Sequence, residues 1–178
     1  PSVFGGTLFA LALWLGRQDI ARRTIRGKGL TRFIAVCLLS GYAWLALGGA
    51  VLVAAGGFEP GLPSCDAALH ALALGFVFAM VFGHAPIIFP AVLRVAVPYH
   101  PTFYLPLAVL HSSLVVRLAG DATAQFDWIR AGGALNAGWV HLISWQAEGD
   151  VLGDAGIGKE DALRYIAPGV LPLAAVLV

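Results

Sequence analysis

Residues 67–93 read AALHALALGFVFAMVFGHAPIIFPAVL and contain no Asp, Glu, Lys or Arg. A helix that crosses a membrane needs about 20 predominantly apolar residues. Two further charge-free runs of that length, 33–56 and 95–116, lie on either side of this one. Prolines break the start of the third run, so its helix is expected to begin near Thr102. The three runs predict membrane-spanning helices at 33–56, 67–91 and 102–119.

The composition of the whole chain agrees with this prediction. Hydrophobic residues make up 59% of the 178 residues, and charged residues 12%, against about 25% charged residues in soluble domains. Shorter apolar runs at 1–16, 131–147 and 165–178 predict partial or weak spans. We therefore expect an all-α polytopic bundle of about 5–6 spans, folded as a single transmembrane domain over residues 1–178.

The distribution of basic residues predicts the orientation of the bundle. Residues 17–32 hold six of the eleven Lys and Arg residues, whereas the 57–66 loop holds none. Loops rich in Lys and Arg stay on the cytoplasmic side of a membrane. Residues 17–32 are therefore expected in the cytoplasm and residues 57–66 outside it.

The histidines of the central span are its unusual feature, because ionisable groups within membrane helices are costly and tend to mark function. His70 and His84 are 14 residues apart, which on an α-helix places them about 40° apart in angle and about 21 Å apart in depth. This is the geometry by which helices of b-type cytochromes hold one haem near each side of a membrane. We expect both side chains to face the bundle interior.

Other residues complete the predicted cofactor site. His100 lies at the depth of His84, while His111 is expected at mid-membrane, well below the level of His70. Arg117 is a candidate for a haem propionate. The predicted cofactor-binding residues are His70, His84, His111, His100 and Arg117, and the predicted metal ligands are His70, His84 and His111.

Each of these residues also has a plainer interpretation. A membrane histidine can simply hydrogen-bond to a neighbouring helix for about 1 kcal/mol. His100 fits an interfacial loop residue. Arg117 fits a side chain that extends to the interface, or one that pairs with Asp121 four residues later.

Two glycines of the central span, Gly75 and Gly83, are eight residues apart. Small residues allow a neighbouring helix to approach closely. Both glycines are therefore expected to lie against another helix or a flat ligand such as a porphyrin, and not against lipid.

The stretches HALALGF and GHAPIIFPAVL, followed by YHPTFYLPLAVLHSSLVVRLAGD, resemble membrane proteins of the NnrS type over residues 33–120. Those are haem- and copper-containing bacterial proteins related in fold to haem–copper oxidase subunit I. The resemblance implies that His70, which opens the HALALG block, is a metal ligand.

Two functional hypotheses from different classes follow. The first is a haem-binding protein of the bacterial inner membrane, with copper as a further possible metal, in electron transfer or in the handling of NO or O₂. The second is a cofactor-free accessory or structural subunit of a larger respiratory or photosynthetic complex. Both imply the lipid bilayer and other membrane subunits as partners.

No nucleic-acid partner is expected, because the basic run is short and lies between two spans. The sequence contains no complete catalytic set, and no catalytic residue is assigned.

Overall fold

The computed structural model describes residues 2–93 and 99–146, and over these residues it is all-helical, as predicted. These residues form seven α-helices and two further helical segments: α1 (Ser2–Gln18), α2 (Ala21–Thr24), α3 (Gly29–Ala54), α4 (Pro63–His70), a π-helical segment (Ala71–Val77), α5 (Phe78–Leu93), a 3₁₀ turn (Pro101–Phe103), α6 (Tyr104–Thr123) and α7 (Phe126–Gln146).

Three of these stretches are long and apolar enough to cross a membrane: Gly29–Ala54, Pro63–Val92 and Pro101–Thr123. They correspond to the three charge-free runs. The larger number of about 5–6 spans is not confirmed over the described residues. The apolar runs 1–16 and 131–147 fall in α1 and α7, and the run 165–178 lies outside the described residues.

Helix α3 is the centre of the bundle because it packs against helices on two sides. It contacts α1 where Gly5 and Gly49 meet, since a Cβ on Gly49 would lie 2.8 Å from the carbonyl oxygen of Gly5. On another side, Gly48 lies against Leu72, with a Cβ-to-Cγ distance of 3.1 Å for a built Cβ. Glycines on α3 thus let both neighbours approach its backbone.

The long central span presents a stripe of small residues, all of them buried. The members recur every four residues along the chain: Ala67, Ala71, Gly75, Ala79 and Gly83. On an ideal α-helix, residues four apart differ by about 40° in angle around the helix axis, so the last residue of this stripe would lie about 160° from the first. The π-helical segment Ala71–Val77 inserts an extra residue into the helix, and this insertion reduces the angle by about 100°. The small residues therefore stay close to one face of the span.

Helix α6 packs against the span that begins at α4. Leu74, Leu110, Leu114 and Trp139 form one buried apolar cluster, which joins the central span to α6 and α7. A second cluster, of Phe33, Cys37 and Leu107, joins α3 to α6 near the start of α3. The polar residues described next lie beyond the first cluster, at the end of the bundle that contains Asp66.

Candidate functional site

Charged side chains of α4 and α6 meet at the Asp66 end of the bundle. Arg117 donates from Nη2 to the Oδ2 of Asp66 across 3.0 Å. The Arg117 side chain is only 11% exposed, whereas that of Asp66 is 42% exposed. This ion pair links α6 to α4 through a guanidinium that is mostly buried.

His70 lies one helical turn below Asp66 and is buried, with 6% of the residue exposed. Its Nδ1 is 2.8 Å from the backbone carbonyl oxygen of Asp66 and 3.4 Å from the Oδ1 of the same residue. A carbonyl oxygen only accepts, so Nδ1 carries the hydrogen of the neutral ring. The Nε2 of His70 then has a free lone pair, and it is buried without a hydrogen-bond partner among the described residues.

His111 has the opposite tautomer. Trp44 donates its indole Nε1–H to the Nδ1 of His111 across 2.9 Å. Because Nδ1 accepts, the hydrogen of the neutral ring sits on Nε2, which is also buried and without a partner among the described residues. His70 thus offers an unused acceptor and His111 an unused donor.

His70 and His111 lie on the same side of the Asp66–Arg117 ion pair, four residues from Asp66 and six residues from Arg117. Leu74 packs with Leu110 and Leu114, and Trp44, which hydrogen-bonds to His111, packs against Gly75. These contacts place His111 near the level of Leu74 and Gly75. His111 therefore lies about one helical turn below His70.

The prediction of an interior orientation is confirmed for His70 and wrong for His84, whose side chain is exposed. His84 uses its Nδ1–H locally, on the carbonyl oxygen of Met80 at 2.7 Å. The π-helical segment between the two histidines gives the physical reason. One inserted residue turns the helix by about 100°, so the expected separation of about 40° becomes about 140°.

His100 lies at the start of the 3₁₀ turn, where it is exposed. Its Nδ1 accepts from the backbone N–H of Thr102 at 3.3 Å and lies 3.0 Å from the Thr102 hydroxyl. These contacts match the interpretation of His100 as a loop residue. The contacts described for His84 and His100 are both local to their own segments.

The expected pairing of Arg117 with Asp121 is replaced by the pairing with Asp66. The Oδ2 of Asp121 is buried and lacks a hydrogen-bond partner among the described residues. Asp66, Arg117 and Asp121 together line an open cleft of about 500 Å³, whose apolar wall includes Phe58 and Leu69. Two carboxylates and one guanidinium therefore line this cleft at the end of the bundle, one turn above His70.

Sequence reasoning missed several polar residues of this region. Asp66 ends the charge-free run that begins at residue 67, and its four-residue spacing from His70 was the available signal. Trp44 lies on α3, and its side chain contacts His111 of α6 and Gly75 of the central span. On α6 and α7, the Ser113 hydroxyl donates to the Oδ1 of Asn136, and no pattern in the sequence paired these two residues.

A multi-ligand metal site is not found in residues 2–93 and 99–146: no three His, Cys, Asp or Glu side chains come together there as ligands for a metal ion. His70, His84 and His111, the predicted metal ligands, therefore do not form one cluster. Metal binding by any one of them stays a prediction.

The packing prediction for the two glycines is confirmed. A Cβ built on Gly75 would lie 2.6 Å from the Cβ of Trp44, and one built on Gly83 would lie 2.9 Å from Cδ1 of Leu38. Both glycines face α3. Of the two neighbours expected beside Gly75, a helix or a flat ligand, the structure has a helix, whose Trp44 side chain occupies this position.

Comparison with known proteins identifies the family but no function. No curated protein and no solved structure matches the chain. A protein-family profile described as "Domain of unknown function (DUF8744)" matches residues 1–147, which is most of the chain. The chain belongs to the DUF8744 family.

Proposed function

We propose that this protein is an integral membrane protein that binds a haem through His70 and acts in electron transfer or in the handling of a diatomic gas such as NO or O₂. The observation that carries the proposal is the Nε2 of His70, which is buried and has no hydrogen-bond partner in the described ranges 2–93 and 99–146. In a membrane protein, an unsatisfied polar group costs several kcal/mol, so a ligand that occupies it is a natural explanation.

The tautomer of His70 suits a metal ligand. Histidines that bind metals almost always donate their other ring N–H to a carbonyl or carboxylate oxygen, which fixes the ring and directs the lone pair. The Nδ1 of His70 makes such a bond to Asp66, with the Asp66 carboxylate 3.4 Å away. His111 does not suit this role in the same way, because Trp44 occupies its Nδ1 and its Nε2 carries the hydrogen.

The donor set favours haem over a copper ion held by protein ligands alone. The described residues bring no three metal-ligating side chains together, and a bare ion requires several donors. A haem supplies four nitrogens from its own ring and needs only an axial ligand from the protein. When bound, it would supply the redox or gas-binding chemistry. The chain would hold its iron with His70 and balance its propionate charge with Arg117.

The resemblance of residues 33–120 to NnrS-type proteins supports the same function, and with it a place in the bacterial inner membrane. The basic loop at 17–32 supports an orientation with this loop in the cytoplasm. Copper is the second metal that we propose for this protein. Other membrane subunits are the expected protein partners of the chain.

A visible spectrum of the purified full chain, expressed with haem available, tests the proposal. We expect a Soret band in the wild type that is lost in His70→Ala and kept in His84→Ala. His84 is a matched control because it lies in the same span with the same i−4 carbonyl bond but is exposed. A wild-type protein without a Soret band would contradict haem binding.

One observation favours the alternative of a cofactor-free accessory subunit. Trp44 packs against Gly75 and closes the helix face at that level without any ligand. Under this alternative, the purified protein is colourless and copurifies in fixed ratio with other membrane subunits. The same spectrum, together with the composition of the purified sample, therefore separates the two functions.

A further inference from the structure

We propose that the arginines between α1 and α3 form a binding site for the phosphate headgroup of an anionic phospholipid. Arg17, Arg22, Arg23 and Arg26 line a concave site of about 620 Å³ together with Asp19. All four arginines are exposed. The site lies at the opposite end of the bundle from His70, and it is independent of haem binding.

The arginines of this site are not neutralised by carboxylates. None of the four forms an ion pair with a residue in the part of the chain that the structure describes. Asp19 is the carboxylate that lines the site, and both of its oxygens are engaged. Its Oδ1 accepts the backbone N–H of Ala21 at 2.8 Å, and its Oδ2 accepts from the Tyr42 hydroxyl.

Asp19 therefore has a structural role in the site. Its bond to Ala21 holds the start of the short helix α2, and its bond to Tyr42 ties this segment to α3. The two bonds position Arg22 and Arg23 beside the end of α1. Guanidinium groups held in this way bind phosphate oxygens through paired N–H donors.

The depth of the site points to a lipid and not to a ligand in solution. Helix α3 has 26 residues, which is about 39 Å, and the hydrocarbon core of a bilayer is about 30 Å thick. The charge-free part of α3 begins at Phe33, so its first residues extend into the headgroup layer. Helix α2 packs alongside α3 and is followed within five residues by the first residue of α3, Gly29, so the arginines lie near the start of this span. Basic clusters next to a membrane span attract anionic lipids.

Lipid binding to the full chain in a neutral detergent, measured by native mass spectrometry, tests the site. Phosphatidylglycerol is the probe, and phosphatidylcholine is the comparison lipid. We expect preferential binding of phosphatidylglycerol, weakened at least about tenfold in Arg22→Gln/Arg26→Gln, because this variant loses guanidinium–phosphate hydrogen bonds that the control keeps. The matched control is Lys28→Gln/Arg32→Gln, which removes two exposed charges of the same loop that do not line the site. This control should bind nearly as the wild type does.

Three results would overturn the proposal. Equal weakening in both double variants would show a diffuse charge effect without a defined site. Equal binding of phosphatidylcholine and phosphatidylglycerol would remove the selectivity for anionic lipid. Displacement of the lipid by an equal concentration of inorganic phosphate would assign the site to free phosphate. Circular dichroism of each variant checks that its helices are intact.

Discussion

Trp44 donates its indole N–H to the Nδ1 of His111 and so links α3 to α6 across 2.9 Å. The two rings also stack, with centroids 6.1 Å apart and planes 29° apart. The same Trp44 side chain packs against Gly75 of the central span. One residue of α3 therefore contacts both of the other predicted spans, and its hydrogen bond sets the tautomer of His111.

The Trp44–His111 bond predicts a measurable coupling energy. Trp44→Phe removes the donor and keeps an aromatic ring, and His111→Phe removes the acceptor. Hydrogen bonds between membrane helices contribute about 0.6 kcal/mol on average and up to about 1.7 kcal/mol. A double-mutant cycle on unfolding in detergent should give a coupling energy in that range. Strictly additive effects of the two substitutions would contradict the bond.

The glycine contacts predict a graded response to Gly→Ala substitution. Gly75→Ala should destabilise the bundle by about 1–3 kcal/mol, because the new methyl would lie 2.6 Å from the Cβ of Trp44, close to the backbone. Gly83→Ala should cost less, since it meets the end of the flexible Leu38 side chain at 2.9 Å. Thermal unfolding in detergent measures the order.

Gly6 supplies the control for this series, because a Cβ at this position would meet nothing within 4 Å. Gly6→Ala should leave the unfolding temperature unchanged or raise it slightly, since alanine favours helix. Equal effects at Gly6, Gly75 and Gly83 would remove the packing argument.

The Asp66–Arg117 ion pair predicts unequal costs for its two partners. Asp66→Asn removes the ion-pair partner of a guanidinium that is 11% exposed, whereas Arg117→Leu leaves a carboxylate that is 42% exposed and can be hydrated. We expect Asp66→Asn to be the more destabilising change, by about 1–3 kcal/mol. Chemical unfolding of both variants measures the difference, and Arg130→Leu, at an exposed position of α7, is the control.

The predicted orientation of the chain can be tested by cysteine accessibility in intact cells. Cys65 is a poor target for such labelling because it is only 4% exposed. In a Cys65→Ser background, Glu59→Cys should react with a membrane-impermeant reagent, since Glu59 is exposed in the loop expected outside. Lys28→Cys should react only after the membrane is broken. The reverse pattern would invert the assigned topology.

The sequence was sufficient for part of this architecture and not for the rest, for identifiable reasons. Long runs without charges located the three helices that are long and apolar enough to cross a membrane, because the absence of charge over 20 residues does not depend on tertiary context. The predicted interior orientation of His84 is wrong, because the α-helical period does not continue through the π-helical segment at 71–77. The pairing of Arg117 with Asp66 depends on the register between α4 and α6, and nothing local to either helix encodes it.

The π-helical segment leads to the last prediction, which concerns single-residue deletions. Deletion of Ala73 removes the inserted residue and converts the segment to α-helix, so that the small residues on both sides keep facing α3. Deletion of Val81, an exposed residue of α5, also shortens the span by one residue. It turns Gly83 by about 100° relative to Ala79, or displaces Gly75 and Ala79 if the π-helical segment is lost instead.

We expect the Ala73 deletion to keep a cooperative unfolding transition near that of the wild type, and the Val81 deletion to lose it. Thermal unfolding followed by circular dichroism in detergent compares the two variants. Equal destabilisation by both deletions would show that the π-helical segment does not set the face that the central span presents to α3.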